Sequence, residues 1–503
     1  MCMELTDDQL FTKIKEQAFL EDLLCIDDFI EIHQSKAIMN MEPMRKKEHI
    51  QHFIDNKIKP FLQNGDQFKD FSVKGYGELT EDIKETKPGS VEFPKYYLIK
   101  NNVRVEFITN VNDFLKQFYS NYRNKSLQKV VDKENELEKN SIISRMNKNE
   151  KITITEDAVY TELQSFLKYI YYRGHDSVNY SLLPSIYRES YINFEDEMYF
   201  ELISRRPESF YSRNRHIDIL RKMQHYGMAT RLLDITSNPL IGLFFAVSIN
   251  RELDGELNIF NIKTEHLKNN NSDTVEILAA LATQSFEKKK KIADVAKEYA
   301  DNIKSIETSE TMKYDAFIKD FNDERCIKLL LHEIRQTVGD FEAIINPKDL
   351  FDCLFVRTFQ DNDRIIRQDG LFIITGLNST TTSDLYHKEI KNNIEEFRLK
   401  ASTNDTVTRY IIPSVYKHQI QVDLSLMGIN EQFVYPELQS VAKYIKNEYS
   451  NNKGAKILES SSIRKPTIKR KEKEINPELE KRENIIISLL IDGGEEVYNK
   501  IKD

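Results

Sequence analysis

Tryptophan is absent from the 503 residues, and cysteine (4) and glycine (15) are scarce. Cys2, Cys25, Cys326 and Cys353 are scattered without paired ligand spacing, which argues against a disulfide framework and a cysteine-based zinc site. Cys25 and Cys353 lie in apolar contexts and read as packing residues. The glycines form neither a P-loop nor a GxGxxG turn, and no Gly-x-Ser-x-Gly elbow marks a serine hydrolase. The 10 histidines lack metal-binding repeats, so no metal is expected, and the clustered carboxylates of a nuclease are missing.

An excess of positive charge is also lacking. The formal charge of −9 argues against a general nucleic-acid coat. No apolar run approaches a membrane span, and Glu4, Asp7 and Asp8 interrupt the opening residues, so no membrane contact and a cytoplasmic location are expected. The missing tryptophan and abundant Lys, Asn, Ile and Glu suit a low-GC bacterial genome.

What is present is a folded chain of two or three domains, with 40% hydrophobic and 30% charged residues. Residues 1–125 read as a small α+β module: helical patterning over Asp7 to Leu62, then short alternating runs. In these, Lys100-Asn101-Asn102 joins two strands as a hairpin, and a helix follows over Val111 to Tyr122. Residues 126–155 read as a charged linker or helix. A helix over Glu156 to Tyr169 opens a third region, 156–450, with a strand at Val275 to Leu278 and a charged helical insertion near 286–331, packed outside the sheet. A basic tail, 451–503, ends in a short helix and is the first place to look for nucleic acid.

Two stretches carry the chemistry. Leu167 to Tyr172 is an aromatic and β-branched run that suits a strand, and Gly174 ends it. Arg173 therefore stands at a strand end, where it can pair with a carboxylate or phosphate. Farther on, Arg231 to Ile235 reads as a buried strand, Thr236-Ser237-Asn238 supplies a cap, and Pro239 opens an apolar helix. A helix N-terminus at a strand end is a ready anion site. Gln224, His225, Tyr226, Arg231 and Asp234 crowd that junction. His175 and His225 read as hydrogen-bonding or core residues. Upstream, Arg205, Arg206, Arg213, Arg215 and Arg221 form a basic helix that could gather an anion.

Tyr172-Arg173-Gly174, Leu182-Leu183-Pro184-Ser185-Ile186-Tyr187-Arg188, Gln224-His225-Tyr226-Gly227 and Thr230-Arg231-Leu232-Leu233-Asp234-Ile235-Thr236, in that order, resemble the FRG domain, named for its (Phe/Tyr)-Arg-Gly motif. The resemblance extends over roughly residues 160 to 450, with later pieces such as the Arg367-Gln368 motif and Tyr435-Pro436-Glu437-Leu438. It implies an α+β fold: an FRG domain with a mixed sheet and flanking helices.

The (Phe/Tyr)-Arg-Gly strand is in turn similar to the first motif of arginine-class ADP-ribosyltransferases. That likeness implies an NAD-using effector of the kind found in bacterial toxin or phage-defence settings. Its rival is a non-catalytic module that senses nucleotide or nucleic acid, or binds protein. On the transferase reading Arg173 and the Pro239 helix hold the NAD pyrophosphate, while Tyr172 or Tyr226 stacks on a ring. Gly174, His225, Arg231, Asp234 and Thr236 complete the cofactor site. The carboxylate such a reaction needs is sought among Asp234, Glu276, Glu333 and Glu437, with Gln368 a non-ionised substitute; Arg173, Glu437 and Gln368 form the catalytic set.

Overall fold

The computed structural model describes residues 5–34, 41, 43–64, 68–79, 95–140, 156–210, 215–303, 311–378, 383–400, 407–438, 441–442 and 444–445. The fold is α+β. A three-stranded antiparallel sheet is built from β1 (Leu23–Cys25), β2 (Phe71–Gly75) and β3 (Tyr96–Lys100), in the order β1-β3-β2. Its helices include Asp7–Leu20, which opens with a capping box in which Thr6 and Gln9 satisfy each other's backbone amides.

The larger, mixed sheet has eight strands: β4 (Val103–Phe107), β5 (Ile170–His175), β6 (Leu232–Thr236), β7 (Gly255–Asn261), β8 (Leu267–Asn269), β9 (Cys353–Arg357), β10 (Gly370–Thr375) and β11 (Val407–Ile412). Their order is β4-β11-β7-β5-β6-β10-β9-β8. The two outer pairs, β4 with β11 and β8 with β9, are parallel, and every other pair is antiparallel.

One correction concerns the expected hairpin. The chain does turn at Asn101-Asn102, but β3 stays in the small sheet while β4 crosses to the edge of the large one. Residues up to 441 form one compact unit, so the early residues share a body with the rest. The joint between the sheets is buried: Leu23, Tyr97 and Ile99 pack against Ile411, and charged pairs flank this apolar contact. Lys95 Nζ donates to Asp28 (2.7 Å) and Asp254 (2.8 Å), Lys391 pairs with Glu21 (2.8 Å), and Arg409 bridges Asp22 and Glu256. Cys25, Asp28 and Asp254 come close enough to share a ligand, and the Lys95 ammonium sits against both carboxylates.

Alternation along the strands divides the core. Ile170 and Tyr172 of β5 face the helices Val111–Asn140, Glu156–Leu167, Pro239–Val247 and Ser414–Leu426. On that same face, at the other half of the sheet, Leu232, Phe372 and Ile374 meet the helices His216–His225, Asp273–Ala280, Phe286–Ile303 and Arg325–Thr337. Tyr171, Leu233, Ile235 and Phe355 point to the opposite face.

Four element readings change. Val275 to Leu278 is helical, because a short apolar run buried on all sides has no distinguishing period. The expected insertion is core, not an outer layer: Ile292, Ala296, Phe321 and Leu330 are fully buried. The helix from Val111 runs on to Asn140, and the expected basic helix over Arg205 to Arg221 is a short turn followed by His216–His225. Residues 451–503, with the basic tail, lie outside the described residues. Among the described residues, no helix is long and apolar enough to cross a membrane.

Candidate functional site

β5 and β6 share a single register pair, Tyr172 with Thr236. Past it, β5 keeps β7 as its partner and β6 keeps β10, so the large sheet opens along residues 173–175. At this opening lies a cleft of about 780 Å³, within the range of small-molecule sites. One wall is the end of β5, the loop to Tyr180, Arg188 and the C-terminal end of the Pro239–Val247 helix. The other is the His216–His225 helix with the segment 359–368.

Arg173 is half-buried in the opening. Its Nε donates to His175 Nε2 (3.0 Å) and its Nη1 to the Asp234 carbonyl (2.6 Å). His175 is buried, and desolvation together with the charges of Arg173 and Arg398 pushes its pKa well below the usual imidazole range. It is therefore a neutral acceptor for the arginine, with its proton on Nδ1, an atom that is buried without a partner. Burial lowers the Arg173 pKa to about 10, opposed by Asp234 and assisted by the Arg188 charge. Arg173 still carries its charge at neutral pH. Arg188 donates to the Leu183 carbonyl (3.0 Å). Among the described residues, neither arginine forms an ion pair with a carboxylate.

The other cleft cations are engaged: Lys222 donates to the Ser209 carbonyl and lies over the Phe210 ring. Arg221 holds Asp361 through two bonds, 3.0 and 2.6 Å, and Arg364 stands 3.7 Å from Glu437 and over the Tyr435 ring. Tyr226 (73% exposed) and Phe359 (57% exposed) offer aromatic surface at the rim. Of the upstream arginines, Arg221 reaches the cleft, while Arg205 pairs with Glu201, Arg206 with Glu208, and Arg215 donates to the Asn271 carbonyl; Arg213 lies outside the described residues.

Of the sequence-derived residues, Tyr172, Arg173, Gly174, Gln224, His225, Tyr226, Asp234, Thr236 and Gln368 line the cleft, some of them with scaffold roles as well, and Arg231 and Glu437 do not. Tyr172 borders the cleft but its ring is buried against Phe118, so it is not free to stack on a ligand. Gly174 is required for packing: a Cβ there would fall 2.1 Å from the Gly242 carbonyl oxygen, so strand and helix touch backbone to backbone. Arg231 is 1% exposed and forms a two-pronged pair with Glu195, which also receives Lys289. Burial would raise the Glu195 pKa, but the charges of Arg231 and Lys289 hold it down at about 2. Thr236 donates to the Gln368 carbonyl (2.6 Å), and Gln368 Nε2 to the Val434 carbonyl (3.0 Å). Glu437 is not among the residues that line the cleft.

The expected helix N-terminus is also displaced. Asn238 caps it, accepting from the Leu240 amide at 2.9 Å, and the cleft meets the other end, at Phe245, Ser248 and Ile249. Arg188 was legible only as part of the Leu182–Arg188 motif, and nothing local marks Tyr180 or Phe359.

These features define a class: an α+β domain on a mixed sheet that splits at an arginine-bearing strand, with a cleft at the split that holds two arginines without carboxylate ion pairs among the described residues. Residues 168–255 match the FRG domain family, so the chain carries an FRG domain. The match runs from the start of β5 to the start of β7 and holds Arg173, Arg188 and Asp234; it is shorter than the stretch of resemblance in the sequence. No curated protein and no solved structure matches the chain.

Proposed function

We propose that the cleft binds a phosphorylated nucleotide, with NAD the first ligand to test, and that it serves an ADP-ribosyltransferase-like reaction. The observation that carries this reading is the pair Arg173 and Arg188. Two neighbouring guanidinium groups, each without a carboxylate partner, repel one another until an anion lies between them, and a pyrophosphate fits that need. His175 holds Arg173 without neutralising it. The aromatic rim of Tyr226 and Phe359 supplies a face for a base, and the volume suits a dinucleotide.

The runner-up is a module that binds the nucleotide without cleaving it. It is favoured by two members of the expected catalytic set: the Gln368 side-chain amide is taken up by the Val434 carbonyl, and Glu437 does not line the cleft. Calorimetric titration of NAD, ADP-ribose and pyrophosphate into wild type and Arg173→Ala, with circular dichroism as the folding control, tests the binding. Affinity for the three ligands that falls at least tenfold in the folded variant supports the site. A wild-type protein that binds no phosphorylated nucleotide overturns it. Release of nicotinamide separates the transferase from the binding module.

A further inference from the structure

The cleft also contains carboxylates, and they are not equivalent. Asp218 lies 3.6 Å from Arg221 and accepts from Asn270, and Asp361 takes the other side of Arg221. The Asp176 carboxylate accepts twice from Asn250, at 3.2 and 2.8 Å. Asp176 likewise has neutral donors, but it is buried. Asp234 combines the two properties a ligand needs: it is exposed in the middle of β6, and the bond its carboxylate makes is with a neutral group, Gln224 Nε2 to Oδ1 at 2.8 Å. Gln224 is itself held by Thr230 Oγ1 (2.6 Å), so the carboxylate is oriented without being neutralised.

The backbone of the same residue anchors Arg173, whose Nη1 takes the Asp234 carbonyl and leaves the carboxylate alone. Among the described residues, an arginine without a carboxylate ion pair and a carboxylate without a salt bridge thereby stand on the neighbouring strands β5 and β6, near enough for the Asp234 charge to act on Arg173. A ligand complementary to both carries a phosphate at one point and a positive centre a few bonds away. The other acids considered from the sequence lie elsewhere: Glu276 is fully buried and accepts from the His216 amide and Thr337 Oγ1, while Glu333 and Glu437 do not line the cleft.

We infer that Asp234 is the catalytic carboxylate of this cleft, and that its substrate is a phosphorylated nucleotide whose base is joined to the sugar as a cationic N-glycoside. This rests on the nucleotide-binding reading above. The sugar C1′–N bond breaks, the base leaves with the bonding pair as a neutral molecule, and the positive charge passes to the sugar as an oxocarbenium ion. The Asp234 carboxylate stabilises that charge. Water then adds its oxygen to C1′, and its proton passes to Asp234 and on to solvent. With NAD and water the products are ADP-ribose, nicotinamide and a proton.

The experiment uses the full chain with NAD as probe, measuring binding by calorimetry and nicotinamide release by chromatography for wild type, Asp234→Asn and Arg173→Ala. Asparagine keeps the backbone carbonyl, the shape and an acceptor for Gln224. Asp234→Asn is expected to bind NAD within about threefold of wild type and to release nicotinamide about 100-fold more slowly, the scale for losing one preorganised electrostatic group. Arg173→Ala is expected to lose binding. Wild-type turnover in Asp234→Asn, or a wild type that binds NAD and releases no nicotinamide, overturns the assignment and leaves the binding site standing. A wild type that binds no phosphorylated nucleotide overturns both.

Discussion

Arg173 reaches across the split in the sheet and donates 2.6 Å to the carbonyl of Asp234, not to its carboxylate. The arginine is thereby fixed by a neutral group and keeps its charge for a ligand. Arg173→Lys removes the fork: an ammonium cannot donate to His175, the Asp234 carbonyl and a phosphate in the same geometry. We expect Arg173→Lys to weaken NAD binding by about tenfold or more, measured by calorimetry, with an unchanged circular dichroism spectrum.

Gly174 and Gly242 let β5 and the Pro239–Val247 helix approach through bare backbone. In Gly174→Ala the new methyl carbon meets the Gly242 carbonyl oxygen at 2.1 Å and the Ala246 amide nitrogen at 2.5 Å, neither of which is the end of a flexible side chain. The expected result is a loss of about 3 kcal/mol or more in chemical denaturation, the upper range for overpacking. A ligand-binding glycine would instead lose affinity and keep its stability.

Arg231→Met tests the reassignment of that arginine to the scaffold. It strips Glu195 of one of two buried cations and leaves the Thr375 carbonyl without its donor. Breaking such a pair costs roughly 3–5 kcal/mol, to be read from urea unfolding. Nucleotide affinity in the folded fraction should stay at the wild-type value.

Asp27 makes stability depend on pH. Burial raises its pKa to about 7, and the neighbouring Asp28 adds to this against the hydrogen bond from the Tyr96 amide. An unfolded aspartate titrates near 4. Between these values the folded state holds a proton that the unfolded state has released, so stability falls as pH rises from about 4 to about 7. Asp28, raised to about 6, acts with the same sign. Asp27→Asn keeps an acceptor for the Tyr96 amide and should flatten this slope, gaining roughly 2–4 kcal/mol at pH 7.5. Thermal melts from pH 4.5 to 7.5 check it; an equally steep fall in the variant would exclude Asp27 as the source.

Local chemistry was enough to place β5 and β6, the Asn238 cap with Pro239 behind it, and Arg173 at a strand end, because alternation, capping and the helix-opening proline act over a few residues. The motif order likewise pointed to the FRG domain. What no local rule contains is the choice of partner. Arg231 reads like a ligand-binding arginine until the fold brings Glu195 and Lys289 around it, and Arg221 until Asp361 arrives from 140 residues away. Gly174 reads as a ligand contact alone until the fold sets the Gly242 carbonyl against its Cα and gives it a packing role as well.

The same holds for the small module. Its strand pattern was visible, but the crossing of β4 into the large sheet depends on β11, about 300 residues later in the chain, and on buried charges that close the joint. The sequence by itself determined which segments become strands and helices and which residue types stand at their ends. Only the tertiary structure decided which charges are cancelled and which are left to face the cleft, since a charge is neutralised by whatever lies within a few ångströms in space, whatever its place along the chain.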